Sequence, residues 1–143
     1  MSMKIHVDIV SAEAQIFSGN VDYVVAMGAL GELGIYARHS PLLTFLKPGP
    51  IRVVKDPGDE DIFYISGGVL EVQPHVITIL ADTVVRASDL DEAAALEAKE
   101  RAEQALQNRN AELDYAKATS DLAQAMAQLQ SIYKLKKQLK IEH

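Results

Sequence analysis

The sequence predicts an all-β sandwich followed by an α-helical hairpin, and three observations carry that prediction. All eight glycines lie at or before Gly68 and all five prolines at or before Pro74, so the last 69 of the 143 residues contain neither helix breaker. The front half is a series of short β-branched runs recurring at roughly 8–12 residues, the spacing of an antiparallel sandwich rather than of βαβ units. The back half opens on helix-capping residues and continues in strong helix formers.

Residues 4–10, Lys-Ile-His-Val-Asp-Ile-Val, alternate with period two. Ile5, Val7 and Ile9 fall on one face and His6 and Asp8 on the other, as a half-buried strand requires. Ser18-Gly19-Asn20 is expected to turn the chain between the runs 14–18 and 21–27. The next segment, Gly28-Ala29-Leu30-Gly31-Glu32-Leu33-Gly34, lacks the G-x-G spacing and following helix of a phosphate cradle, and reads as a turn-dense recognition loop. Runs 50–55 and 61–66 flank Asp56-Pro57-Gly58-Asp59, where Pro57 presets φ and Gly58 accepts positive φ, the chemistry of a type II turn. Gly67-Gly68 and Gln73-Pro74-His75 punctuate runs 69–73 and 76–81, and residues 83–86 make a last short strand.

At Ser88 the grammar changes. Ser88-Asp89-Leu90-Asp91 fits a capping box, and Asp89, Asp91 and Glu92 place negative charge at the positive end of a helix dipole. Glu97 and Arg101 are spaced for an i,i+4 ion pair. Gln107-Asn108-Arg109-Asn110 interrupts the helix, after which Leu122, Met126, Leu129 and Tyr133 recur at steps of four, three and four. Two antiparallel helices with alanine-rich facing sides are expected. Small side chains bury little apolar area, at ~25 cal/mol per Å², so a permanently docked hairpin and one that opens both fit. Residues 87–121 carry four basic and nine acidic side chains, whereas 122–143 carry Lys134, Lys136, Lys137 and Lys140 against Glu142 alone. Those lysines suit either the negative end of the last helix or an acidic partner.

Composition excludes other functions. A net charge of −6 is wrong for phosphate neutralisation on nucleic acid. Without cysteine there is no disulfide, thiolate metal site or thiol nucleophile. No apolar run approaches the ~20 residues that span a bilayer, and the opening residues lack a signal-peptide core, so a reducing aqueous compartment is expected. No phosphate loop, G-x-S-x-G or H-E-x-x-H motif occurs, and His6, His39, His75 and His143 have no zinc-site spacing. No catalytic role is expected.

The stretch from Gly31 to Gly49, Gly-Glu-Leu-Gly-Ile-Tyr-Ala-Arg-His-Ser-Pro-Leu-Leu-Thr-Phe-Leu-Lys-Pro-Gly, closely resembles the signature of the epsilon subunit of bacterial-type rotary F-type ATP synthases. Ser66-Gly67-Gly68-Val69-Leu70-Glu71-Val72 and Ile79-Leu80-Ala81-Asp82-Thr83 resemble it too, and the likeness runs over essentially the whole chain. Ala37-Arg38 departs from the proline and small residue of many members.

The resemblance implies a non-catalytic subunit of the central stalk. Residues 1–87 would be the rotor-coupling sandwich, gripping the gamma subunit and resting on the c-ring through Glu32, Arg38 and His39. Residues 88–143 would be a regulatory hairpin that, when extended among the alpha and beta subunits, inhibits ATP hydrolysis, with Lys134, Lys136, Lys137 and Lys140 meeting acidic segments of beta. Some members bind ATP in the folded hairpin; here Leu90, Asp91, Ala95 and Arg101 match that pattern, but Ala94 replaces its arginine, so weak or lost binding is expected and no cofactor is assigned. The implied location is the cytoplasmic face of the bacterial inner membrane, peripheral and without insertion. A small-ligand-binding sandwich with a dimerising hairpin is the competing reading, and it requires an aromatic-lined pocket that three Phe, five Tyr and no Trp poorly supply.

Overall fold

The computed structural model describes residues 3–108 and 112–142, with side chains over 3–108 and 115–139. Strands β1 (Ile5–Ser11), β2 (Gln15–Val21), β3 (Tyr23–Gly28), β4 (Gly31–Tyr36) and β5 (Leu42–Leu46) are followed by β6 (Gly49–Asp56), β7 (Asp59–Ile65), β8 (Gly68–Val72), β9 (Val76–Ala81) and β10 (Val84–Arg86). They form two layers, β10-β7-β6-β3-β4 and β5-β8-β9-β1-β2, joined by the single pair Gly28–Leu46. The pairing is antiparallel apart from β1 against β9.

The alternation of β1 is realised: Ile5, Val7 and Ile9 are buried while His6 and Asp8 face outward. Ile51, Val53, Phe63 and Ile65 from one layer meet Leu70, Val72, Ile77 and Ile79 from the other in one core. Phe17 sets its ring edge-on to Phe63, 5.9 Å away, across the layers.

Two local expectations in the sandwich are corrected. Ser18-Gly19-Asn20 lies inside β2, paired with Asp8, Val7 and His6; the Phe17 ring packs over Gly19, and the chain bends at Asp22 to pass into the other layer. The recognition loop expected over Gly28–Gly34 is a two-residue turn leading into β4, and β5 is a further strand that was not expected, because glycine-rich β4 is templated by β3 and the mostly apolar β5 hides its alternation. The 56–59 turn forms as expected, with Gly58 at φ 80°.

After a 3-10 turn at Ala87–Asp89, helix α1 (Glu92–Gln107) starts three residues later than Ser88 suggests. The Leu90 amide closes on the Ala87 carbonyl, and Asp91 is the cap: its carboxylate accepts the Ala94 amide at 3.2 Å. Helix α2 (Glu112–Glu142) is 31 residues, or about 46 Å at 1.5 Å per residue. It runs back along α1 and lies over β6 and β7. Pro50, Val54, Ile62 and Tyr64 point away from the sandwich core yet are buried, which makes them the seat of α2. The Leu122–Tyr133 stripe is rotated from expectation: Leu129 is buried, but Met126 and Tyr133 are exposed, and Ala118, Ala125, Ala127, Ser131 and Ile132 take the inner positions. The expected Glu97–Arg101 pair is absent; Lys99 meets Glu103 at 3.9 Å instead. Asn108 caps α1, while Arg109 and Asn110 fall outside the described residues.

Candidate functional site

The outer face of the second layer breaks the rule that strands show water their polar side. Phe45 on β5 pairs with Val69 on β8, Val69 with Leu80 on β9, and Leu80 with Val10 on β1. These four form an apolar row across the sheet, and Phe45 is 73% exposed, with Leu43 on the same face at 70%. A groove of about 640 Å³ runs beside the row, lined also by Pro48, Gly67 and Asp82. Gly68 is obligatory here, since a Cβ would sit 2.1 Å from the Leu80 carbonyl oxygen. An unpaired apolar face of this kind is the mark of a protein–protein contact. Sequence reasoning missed it, although Leu42-Leu43, Phe45-Leu46, Val69-Leu70 and Ile79-Leu80 put apolar residues side by side where a half-solvated sheet alternates. Phe45 is the only aromatic residue along the groove, so the aromatic pocket of a ligand-binding sandwich is not what this face offers.

Glu32 lies at one end of β4, beside the two-residue turn Ala29–Leu30. Gly28 and Gly31 pair across that turn; Gly31 takes φ 137°, and a Cβ at Gly28 would strike the Leu33 side chain. The turn thrusts Leu30 wholly into solvent next to exposed Glu32. Arg38 and His39 lie beyond the opposite end of β4. Four residue steps, about 13 Å at 3.3 Å each, separate Glu32 from Tyr36 alone, so the structure does not gather the three into one patch. Arg38 holds φ 66°, a left-handed conformation a non-glycine residue adopts at a cost. His39 braces that turn: its amide donates to the Tyr36 carbonyl at 3.2 Å, and its Nδ1 lies 2.6 Å from the Ser40 carbonyl, which requires a protonated Nδ1.

In the hairpin, Leu90 is half-buried, Ala95 is buried and Ala94 is exposed. Asp91 is engaged as the α1 cap. Arg101 stands ten residues on, about 15 Å along the helix axis, so it does not share a site with Asp91. It lines a cleft of about 540 Å³ between the helices, with Lys117 and Asp121 from α2 over a floor of Ala98, Ala102 and Ala118. Of the lysines, Lys134 is half-buried, Lys136 pairs with Glu92 of α1 at 2.6 Å and Lys137 is exposed; the Lys140 side chain lies outside the described residues. On the seat, Gln128 hydrogen-bonds the Tyr64 hydroxyl, whose burial holds it above the usual phenol range despite that bond. Gln138 donates to the Glu60 carbonyl at 3.0 Å.

Polar pairs frame the sandwich. Lys4 bridges Asp22 at 2.9 Å and Asp56 at 2.7 Å, and Arg52 meets Glu60 at 3.0 Å. On β1 and β2, Asp8 accepts Ser18 at 2.7 Å and lies 3.0 Å from His6; the Ser18 hydroxyl is the main cause that its carboxyl stays below the usual range. Among the described residues no group of three His, Asp or Glu could hold a metal, and no helix is long and apolar enough to cross a membrane.

Residues 4–87 match the family described as ATP synthase, Delta/Epsilon chain, beta-sandwich domain, and residues 88–132 match its long alpha-helix domain. The chain is 59% identical over 139 residues to the ATP synthase epsilon chain of Nitrosococcus oceani, covering 97% of this chain and 99% of that one. Among solved structures it is similar in fold to a chain of the Euglena gracilis mitochondrial ATP synthase OSCP/F1/c-ring assembly, with a TM-score of 0.81 at 23% identity over 87% of this chain and 78% of that one. A chain of the Tetrahymena thermophila mitochondrial ATP synthase central stalk and c-ring is similar at a TM-score of 0.65 and 15% identity, covering 92% and 98% respectively.

Proposed function

The chain belongs to the ATP synthase delta/epsilon family, and on that premise we propose that its sandwich is the foot of the rotor and its hairpin a regulatory arm, divided at Ala87. It is a non-catalytic stalk subunit of the F-type ATP synthase, the enzyme that couples ion transport to ATP synthesis. The observation that carries the foot is the exposed row Phe45-Val69-Leu80-Val10, which we assign to the gamma subunit. The tip bearing Leu30 and Glu32 is the contact to the polar loops of the c-ring. Arg38 and His39, at the far end of β4 and next to Leu42 and Leu43, are reassigned from the c-ring to the flank of the gamma-facing surface.

Folded on the sandwich, the arm permits turnover; extended along gamma among the alpha and beta subunits, it blocks ATP hydrolysis. At about 46 Å, α2 has the reach for this, and Lys134, Lys136, Lys137 and Lys140 supply charge for acidic segments of beta. The cleft at Arg101 and Lys117 offers cations to a phosphate, but with Asp91 spent on capping and Ala94 in place of arginine, ATP binding there is weak. The subunit sits peripherally on the cytoplasmic face of the bacterial inner membrane.

Truncation after Ala87 tests the arm. In the reconstituted enzyme, assembly and ATP synthesis persist while ATP hydrolysis rises; unchanged hydrolysis would refute the inhibitory role.

A further inference from the structure

Among the described residues, two polar contacts tie the far end of α2 to α1 and to β7. Lys136 Nζ lies 2.6 Å from Glu92 Oε2 in the first turn of α1, and two residues on Gln138 Nε2 donates to the Glu60 carbonyl on β7. Both charged side chains are partly solvated, at 56% and 36% exposure. Lys136 therefore closes the hairpin by linking the end of its second helix to the beginning of its first. A lysine ammonium is a point charge on one flexible stem. Its stem reaches Glu92 only while α2 lies folded against α1, so an arm drawn away along a partner cannot keep this pair.

We propose that the Lys136–Glu92 pair is the latch of the folded arm, and that Lys136 becomes available to an acidic protein segment only when the latch opens. This rests on the two-state reading of the hairpin given above. Glu92 and the acidic partner compete for one cation, so the two arm positions exclude each other electrostatically as well as sterically. The partner strengthens its own contact by drawing Lys136 away, and the latch sets how easily it does so. A pair this exposed holds the closed state by about two- to fivefold in population, strong enough to bias the arm and weak enough to yield.

The test is a double-mutant cycle on the full chain, reading amide hydrogen exchange of residues 129–139. Glu92→Gln and Lys136→Gln each speed exchange about two- to fivefold, and the double variant falls short of the product of the two effects by a similar factor. The cycle cancels the separate effect of Glu92 on the α1 dipole. Two single effects that multiply fully, or no change in exchange, would overturn the latch. In the reconstituted enzyme Glu92→Gln, which frees Lys136 and leaves it intact, lowers ATP hydrolysis, whereas unchanged or raised hydrolysis would overturn the competition. Truncation after Ala87 separates the two ideas. If truncation raises hydrolysis while Glu92→Gln does nothing, the competition fails and the inhibitory arm stands. If truncation does nothing, the inhibitory arm fails together with the competition, and the exchange cycle still decides the latch.

Discussion

Replacing Phe45 by alanine removes the largest exposed apolar group from the face assigned to gamma. The side chain is 73% exposed in the isolated subunit. An aromatic residue that buries ~150–250 Å² in all has on the order of 150 Å² here still to lose to a partner. At ~25 cal/mol per Å² that is an upper bound of about 4 kcal/mol. The retained Cβ and incomplete coverage bring the expected loss to about 2 kcal/mol, or roughly thirtyfold in Kd. Titration calorimetry of the purified subunit against gamma reads this directly. The fold is untouched, since Phe45 lies outside the sandwich core, so Tm stays within about 2 °C. Leu96→Ala, which trims an exposed apolar residue of α1, leaves the affinity as it was. A Phe45→Ala protein that folds normally and binds gamma within twofold of the parent would refute the assignment of this face.

Gly68→Ala forces a Cβ into the backbone of β9 and costs about 3 kcal/mol, a Tm drop of roughly 6–12 °C by calorimetry. Arg38→Gly relieves the left-handed strain and raises Tm by up to about 4 °C while weakening binding to gamma; a lower Tm would refute the strain. Ser18→Ala frees the Asp8 carboxyl to titrate nearer its ordinary value. Because that carboxyl is depressed in the fold, its stabilisation is present above an unfolded pKa of ~3.9 and is lost as pH falls through the folded value. The variant is therefore less stable at neutral pH, by at most ~1 kcal/mol at this partly exposed site, and converges with the parent in acid denaturation scans. ATP titrated into the isolated subunit gives no sub-millimolar binding; tighter binding would show that Arg101 and Lys117 suffice without the missing arginine.

What the sequence made legible was whatever local chemistry decides. Confinement of glycine and proline to the front half separated sandwich from hairpin, and Pro57-Gly58 located a turn whose φ the chain then adopts. Positions fixed by partners distant in sequence were not legible. Gly19 looks like a turn residue until Val7 and the Phe17 ring are placed beside it. Ser88 looks like a cap until the 3-10 turn at Ala87–Asp89 passes that role to Asp91. The candidate site divides the same way. The family signature drew attention to Glu32, Arg38 and His39, but only the length of β4 shows that one of them stands apart from the other two.

The hairpin's composition bears on why an arm could move at all. A ligand or partner shifts a two-state element only by its differential affinity, and driving one from 1:99 to 99:1 takes about 5.5 kcal/mol. A seam of buried leucines, each contributing ~1.5–3 kcal/mol, would exceed that within a few residues and hold the arm shut. Here the inner positions are Ala95 and Ala102 against Ala118 and Ala125, and beside the seat of Pro50, Val54, Ile62 and Tyr64 the arm is tied by polar groups that water can serve once they part: Gln128 on Tyr64, Gln138 on the Glu60 carbonyl, Lys136 on Glu92. Leu129 and Ile132 are the large aliphatic side chains buried on α2 among the described residues, and they keep the folded state from being empty of driving force. Filling the seam should therefore remove regulation before it removes function. Ala125→Leu, if accommodated, would lock the arm down and raise ATP hydrolysis toward the level of the truncated enzyme, while leaving the gamma-facing row on the opposite layer unchanged.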